Sequence, residues 1–217
     1  MIYLVPYTAL ANSRRGQNVA NAHGIPPYVD FSCRREPDFE SDPPFISGLC
    51  RPQFVTSLQT SDVLIYFTKK SATHPEGQRL VAGLELDQVF RSPQDAADWY
   101  QSKGRRVPYS CIVPGNPPVP IWMTDPKMTP RTAKYTDSMV WDRAVYVPRA
   151  KRCVKCFACR TVFLKLTEPP IIEEAFWRQS FDDDPRNGMQ STGLPIDQTI
   201  YEDLLERTGV MRQMQTR

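Results

Sequence analysis

The chain has 217 residues, of which 41% are hydrophobic and 24% are charged. This is the composition of an ordinary globular protein, and it excludes a chain that is disordered throughout. No run approaches the roughly 20 consecutive apolar residues of a membrane-spanning helix, and the start MIYLVPYTAL lacks the basic region of a signal peptide. We therefore expect a cytoplasmic protein with no membrane partner.

The net charge of +3 is distributed unevenly along the chain. Residues 1–100 carry −2, residues 101–160 carry +9 and residues 161–217 carry −4. A basic middle segment is expected where one face of a protein binds phosphates, because clustered Lys and Arg release counterions together. The alternative is a set of solvated charges that scatter over the surface once the chain folds.

The first half of the chain predicts a strand, a long loop and a pair of strands. Residues 2–5 are apolar enough for the first strand, and residues 12–23 form either a weak helix or a loop. The prolines and charges of residues 31–52 predict an ordered, irregular loop, because proline removes backbone donors. Residues 62–68 and 79–90 are rich in β-branched and aromatic side chains, which predicts an antiparallel pair.

The second half predicts helices and further short strands. Ser92 is the expected N-cap of a helix that begins at Pro93 and stops at Gly104. The predicted strands are residues 109–113, 119–123, 145–147 and 161–166. Two helices follow, over residues 173–179 and from Ile196 to near Gly209, with an exposed linker at residues 182–188.

These elements predict an α+β fold, a small curled β-barrel of about seven short strands with flanking helices. We place the main domain at residues 1–168 and a C-terminal helical extension, packed on it, at residues 169–217.

Several short patterns follow one another in the order in which a known family has them. They are DPPF at 42–45, CRP at 50–52, SDVLIYF at 61–67, LVAGLE at 80–85 and WDRAVYV at 141–147. Together they resemble the nucleotide modification associated domains, a PUA-like family akin to EVE, ASCH and YTH domains, although Ser61 stands where that family usually has glycine. The resemblance implies a PUA-like barrel whose loops form a pocket for a modified or flipped base. It also implies a role in bacterial or phage systems that make or detect modified nucleotides.

Recognition of a base outside a duplex needs aromatic faces for stacking and polar groups for the base edge. The candidate pocket residues are Phe45, Tyr66, Trp122 and Trp141 for stacking, and Asp42, Arg34, Arg35 and Arg51 for the edge. Alternatively, the aromatic side chains fill the core and the arginines pair with the acids of their own loop.

A run of basic residues in the middle segment is the candidate phosphate-binding strip. Its members are Arg143, Arg149, Lys151, Arg152, Lys155 and Arg160. Such residues supply affinity for a nucleic-acid backbone without reading its sequence.

Cys153, Cys156 and Cys159 are spaced as thiolates that bind one Zn²⁺ ion. No fourth ligand lies nearby in the sequence, so it would have to come from a distant Cys or His, and free thiols are the alternative.

We therefore expect non-enzymatic binding of a modified base in DNA or RNA, or of a nucleotide, through an aromatic pocket rimmed by arginines. One alternative is a metal-dependent enzyme acting on nucleotides or nucleic acid, with Glu85 and Asp87 on one strand face as metal ligands. A second is a protein-interaction module with a structural zinc site. The sequence contains no P-loop, Rossmann or G-x-S-x-G motif, so it predicts no catalytic residue, and it does not indicate an oligomeric state.

Overall fold

The centre of the fold is a mixed β-sheet. The computed structural model describes residues 1–181 and 192–210 of the chain. Within these residues the strands are β1 Ile2–Tyr7, β2 Phe45–Ile46, β3 Val63–Thr68, β4 Gln78–Phe90, β5 Cys156–Leu164, β6 Ile171–Ile172 and β7 Leu194–Ile196. The strand order is β2-β5-β4-β3-β1-β7, and β6 pairs with the start of β4.

Six α-helices surround the sheet in the described part of the chain. They are α1 Arg14–His23, α2 Pro52–Ser57, α3 Pro93–Ser102, α4 Ser138–Ala150, α5 Glu174–Ser180 and α6 Gln198–Thr208. Four of them begin with an N-cap residue whose side-chain oxygen accepts a hydrogen bond from a backbone N–H group of the first turn. These N-cap residues are Ser13, Ser92, Asp137 and Asp197. The predicted cap at Ser92 is thus confirmed.

The sheet combines one parallel pair with antiparallel neighbours. β1 and β3 are parallel, and the predicted antiparallel pairing of β3 with β4 is confirmed. The α+β class is also confirmed. Strands β2 and β7 lie at the two ends of the strand order, so the described sheet is open rather than closed into a barrel.

Successive side chains of β3 point to opposite faces of the sheet. Leu64 and Tyr66 pack into a core under the loop that precedes α2, whereas Ile65 and Phe67 pack into a core under α5 and α6. The loop at residues 25–51 therefore covers one face of the sheet and the C-terminal helices cover the other.

Three predicted strands are wrong. Residues 145–147 lie inside α4, where Asp137 caps the helix and Trp141 and Tyr146 bury one side of it. Residues 109–113 and 119–123 form turns and a short 3₁₀ helix. Four prolines interrupt residues 114–120, so backbone donors there bond to loop carbonyls instead, as Val119 does to Cys33 at 2.8 Å.

The C-terminal part of the chain adds strands as well as helices to this fold. Strand β7 pairs with β1, and β6 pairs with β4, so residues 169–181 and 192–210 share the sheet and core of the preceding residues. The predicted linker at residues 182–188 lies outside the described residues. No described helix has the length and apolar character needed to cross a lipid bilayer.

Candidate ligand-binding site

A cavity of about 260 Å³ lies under the loop, on the face of the sheet opposite α5 and α6. Its floor is formed by the ends of the parallel strands β1 and β3, including Tyr7 and Tyr66. Its walls come from the loop and from α2, through Asp30, Glu36 and Phe54 among others. The carboxyl ends of parallel strands are a common position for ligand sites in α/β sheets.

The loop is ordered because a fully buried carboxylate organises it. Asp38 accepts hydrogen bonds from the backbone N–H groups of Glu40, Ser41 and Tyr109, the last at 2.7 Å, and forms an ion pair with Arg106. Its own backbone pairs with Phe45 in both directions at 3.0 Å. Residues 31–52 are therefore ordered and mostly irregular, as predicted, but they also contain the two-residue strand β2.

Two buried carboxyl groups line the cavity. Glu36 accepts hydrogen bonds from the N–H and hydroxyl of Ser47 and from the N–H of Gly48. Burial outweighs these bonds and raises the pKa of Glu36 to about 7. Asp30 accepts a hydrogen bond from the N–H of Ser32 at 2.9 Å, and burial raises its pKa to about 6. Both groups therefore change protonation near neutral pH.

Two cationic side chains line the same cavity. Burial lowers the pKa of Arg51 and of Lys69. One guanidinium nitrogen of Arg51 donates to the carbonyl of Pro6, and the Lys69 ammonium forms no ion pair with any residue in the described ranges. The cavity thus offers donors and acceptors to the same ligand.

Tyr66 contributes an aromatic ring with a hydroxyl group to the floor of the cavity. Its ring lies edge-to-face against Phe39 and Tyr7, with centroids 5.3 and 6.1 Å away. Tyr66 is only 4% exposed, yet its hydroxyl makes no hydrogen bond to a residue that the structure describes. By contrast, the Tyr7 hydroxyl donates to the carbonyl of Tyr28. The Tyr66 hydroxyl is not one of the fully buried, partnerless polar atoms in the described part of the chain, so it is accessible from the cavity and available to a ligand.

A groove of about 630 Å³ adjoins the cavity. Cys50 and Arg51 line both spaces, and the far side of the groove carries Arg149 and Arg152. None of the side chains that line the groove is acidic. Cys50 is exposed at this boundary.

The structure places four of the predicted site residues at these two spaces. Tyr66 and Arg51 line the cavity, and Arg51, Arg149 and Arg152 line the groove.

The other three predicted stacking residues do not reach the cavity. Phe45 and Trp141 are completely buried, Phe45 against Tyr100 and Trp141 in the core beside α4. Trp122 is 53% exposed and packs on His23 with ring centroids 4.5 Å apart. For Phe45 and Trp141, the alternative that the aromatic side chains fill the core is the one that the structure shows.

Arg34 and Arg35 are buried structural residues. Arg34 forms a two-bond ion pair with Asp142 of α4, and its remaining nitrogen donates to the carbonyls of Tyr109 and Asn116. Arg35 donates to the carbonyls of Asp30 and Met123 and lies 3.3 Å from Glu40.

The carboxylate of Asp42 is 87% exposed and lies 3.8 Å from Arg105. It therefore does not line the cavity either.

The remaining members of the basic strip do not line the groove. Arg160 pairs with Glu85, which the enzyme alternative required as a metal ligand. Lys155 donates to the carbonyls of Thr56 and Leu58. Arg143 and Lys151 are exposed. The regional charge of +9 is therefore partly compensated by acids from the first hundred residues.

The three clustered cysteines point into separate parts of the core. Cys156 packs beside Phe45, Cys159 packs on the cavity side of the sheet, and Cys153 packs beside Trp141. Residues three apart on a strand face opposite sides, which separates Cys156 from Cys159. No group of three or more His, Cys, Asp or Glu in residues 1–181 and 192–210 is arranged to hold a metal ion. The spacing therefore does not bring these three thiols together as the ligands of one zinc ion.

Sequence reasoning missed Asp30, Glu36 and Lys69. Lys69 directly follows β3, so its position was detectable once β1 and β3 were recognised as a parallel pair. Asp30 and Glu36 lie in a loop rich in charged residues, and nothing in the sequence separates them from the exposed acid Asp42.

No protein-family model matches this chain, and neither the curated proteins nor the solved structures include a significant match to it.

Proposed function

We propose that this protein binds a nucleobase, presented by DNA, RNA or a nucleotide, in the cavity beside Tyr66. The observation that carries this proposal is the hydroxyl of Tyr66, which bonds to no described residue and lies on the floor of a cavity that also holds buried carboxyl and cationic groups. A base edge presents donors and acceptors side by side, and such a mixed set of groups can pair with both.

The size of the cavity favours a single base. Pockets for drug-sized ligands occupy about 300–1,000 Å³, and this cavity of about 260 Å³ lies just under that range. One planar ring system with a small substituent fits this space, whereas the sugar and phosphate of a nucleotide would extend into the groove.

The family resemblance supports the same proposal. Arg51 belongs to the CRP pattern and Tyr66 to the SDVLIYF pattern, and the fold brings both to one cavity. Under this proposal the chain is a PUA-like reader of a modified base and acts by binding.

The test is calorimetric titration with the four common deoxynucleosides and with their 5-hydroxymethyl pyrimidine analogues. We expect at least one to bind, and we expect Lys69→Met to weaken that binding by about 10- to 100-fold, as for one charge-assisted hydrogen bond. Lys70→Met is the matched control, because Lys70 is the exposed neighbour that does not line the cavity.

Absence of binding by every nucleoside and by oligonucleotides that contain the same bases would contradict the proposal. Equal losses in Lys69→Met and Lys70→Met would show that the ligand binds elsewhere.

A second function, acid–base catalysis on the bound nucleotide, is favoured by the two carboxyl groups whose pKa values lie near neutrality. Glu36 at about 7 and Asp30 at about 6 are suited to give and accept protons at physiological pH. If this function holds, a nucleotide incubated with the protein yields a new product by chromatography, and Asp30→Asn abolishes the reaction without abolishing binding. An unchanged nucleotide after prolonged incubation leaves the binding function alone.

A further inference from the structure

We infer that the groove beside the cavity is a phosphate subsite, in which Arg51, Arg149 and Arg152 bind the phosphate joined to the sugar of the recognised base. The inference rests on the proposed function and adds the ligand's second chemical part, so that the ligand is a nucleotide unit rather than a free base.

Two distant parts of the chain bring guanidinium groups to this groove. Arg51 immediately precedes α2, Arg149 lies in the last turn of α4, and Arg152 follows in the next turn. Guanidinium groups bind phosphate oxygens with paired N–H donors, which suits them to this role better than ammonium groups.

The charge in the groove is uncompensated by the described part of the protein. Among those residues, Arg149 and Arg152 make no ion pair, and Arg149 lies over the ring of Tyr146 at 5.6 Å. Other arginines of the basic segment do have acidic partners, as Arg106 has Asp38 and Arg160 has Glu85. An anion in the groove would supply the counter-charge that Arg149 and Arg152 lack among the described residues.

Arg51 connects the two spaces. It borders both the cavity and the groove, and its hydrogen bond to the Pro6 carbonyl uses only one of the five N–H donors of a guanidinium group. A ligand with its base in the cavity therefore extends its sugar past Arg51 and places its phosphate between Arg149 and Arg152.

The test compares a deoxynucleoside that binds with its 5′-monophosphate and with a short single-stranded oligonucleotide that carries the same base. We expect the phosphate to increase affinity about tenfold or more in the wild type, and the increase to shrink as salt is raised. The double variant Arg149→Gln/Arg152→Gln should lose this increase and keep the affinity for the nucleoside. The double variant Arg143→Gln/Lys151→Gln is the control, since both residues are exposed and basic but lie outside the groove.

The outcomes separate this inference from the proposed function. If neither the monophosphate nor the oligonucleotide binds more tightly than the nucleoside, or if the gain survives in Arg149→Gln/Arg152→Gln, the subsite is overturned and base binding is left intact. Failure of nucleoside, monophosphate and oligonucleotide alike overturns both. A gain for the monophosphate identifies a free nucleotide as a sufficient ligand, whereas a gain for the oligonucleotide alone identifies the phosphodiester of a strand; either gain supports the subsite.

Discussion

Removal of the carboxylate of Asp142 should strongly destabilise the protein, because it leaves the guanidinium of Arg34 buried without a counter-charge. Both side chains are 3% exposed, and the Arg34 Nε donates to Asp142 at 2.8 Å. The pair also ties α4 to two loops, through the bonds from Arg34 to the carbonyls of Tyr109 and Asn116.

The expected cost of Asp142→Ala is about 3–5 kcal/mol, the range for breaking a buried ion pair by removal of one partner. For a chain of this length each kcal/mol lowers the melting temperature by about 2–4 °C, so the melting temperature should fall by about 6–20 °C. Denaturant unfolding monitored by circular dichroism measures the free energy directly.

The matched control is Arg160→Ala, which breaks the exposed pair between Arg160 and Glu85. An exposed pair contributes about 0–1 kcal/mol, so this variant should remain close to the wild type. The double variant Arg34→Met/Asp142→Leu should recover part of the loss, because it buries apolar groups instead of a lone charge. A loss below about 1 kcal/mol in Asp142→Ala, equal to the control, would refute the argument that burial makes this pair costly to break.

Two further substitutions test the packing of α1 and the protonation of the cavity. Gly16→Ala should destabilise the protein by about 1–3 kcal/mol in denaturant unfolding, because the added Cβ would clash with the carbonyl oxygen of Leu10. This loss is expected even though alanine is a better helix former than glycine. The control is Asn18→Ala, at an exposed position of the same helix, which should be neutral or slightly stabilising. Burial raises the pKa of Asp30 from its ordinary value of 3.8 to about 6, so the folded state holds this proton more tightly and the free energy of unfolding falls as pH rises across that interval. Asp30→Asn removes the titration, and its stability relative to the wild type should rise by about 2 kcal/mol between pH 4 and pH 6.

Each of these expectations has a contrary result. A Gly16→Ala variant as stable as Asn18→Ala would mean that α1 moves away from Leu10 at little cost. A constant stability difference between Asp30→Asn and the wild type over the whole pH interval would mean that Asp30 is ionised in the folded protein at pH 4.

The sequence predicted those elements whose signal is local. The helix at Ser92 has its cap, its first-position proline and its terminal glycine within a few residues, and β3 and β4 carry dense β-branched and aromatic runs. Residues 145–147 have the same β-branched character, but the burial of Trp141 and Tyr146 on one face of α4 outweighs it. Propensity therefore failed where tertiary packing decided the structure.

The candidate site was predictable only in part, because it is assembled from distant segments. Arg51 and Tyr66 were identified through short patterns. Nothing in the sequence shows that Arg34 forms an ion pair with Asp142, which is 108 residues away, so that its guanidinium group is not available to a ligand. The raised pKa values of Asp30 and Glu36 likewise arise from burial under a folded loop. Such effects depend on three-dimensional proximity, which composition and spacing do not specify.

The two outer strands of the open sheet affect how this protein behaves at high concentration. An unprotected sheet edge is a template on which another chain can add a strand and begin to aggregate. Here β2 has two residues and β7 has three, and Pro195 in β7 has no backbone N–H to offer. Neither β2 nor β7 is therefore a good template for edge-to-edge polymerisation, and the strands that form the cavity floor lie between them.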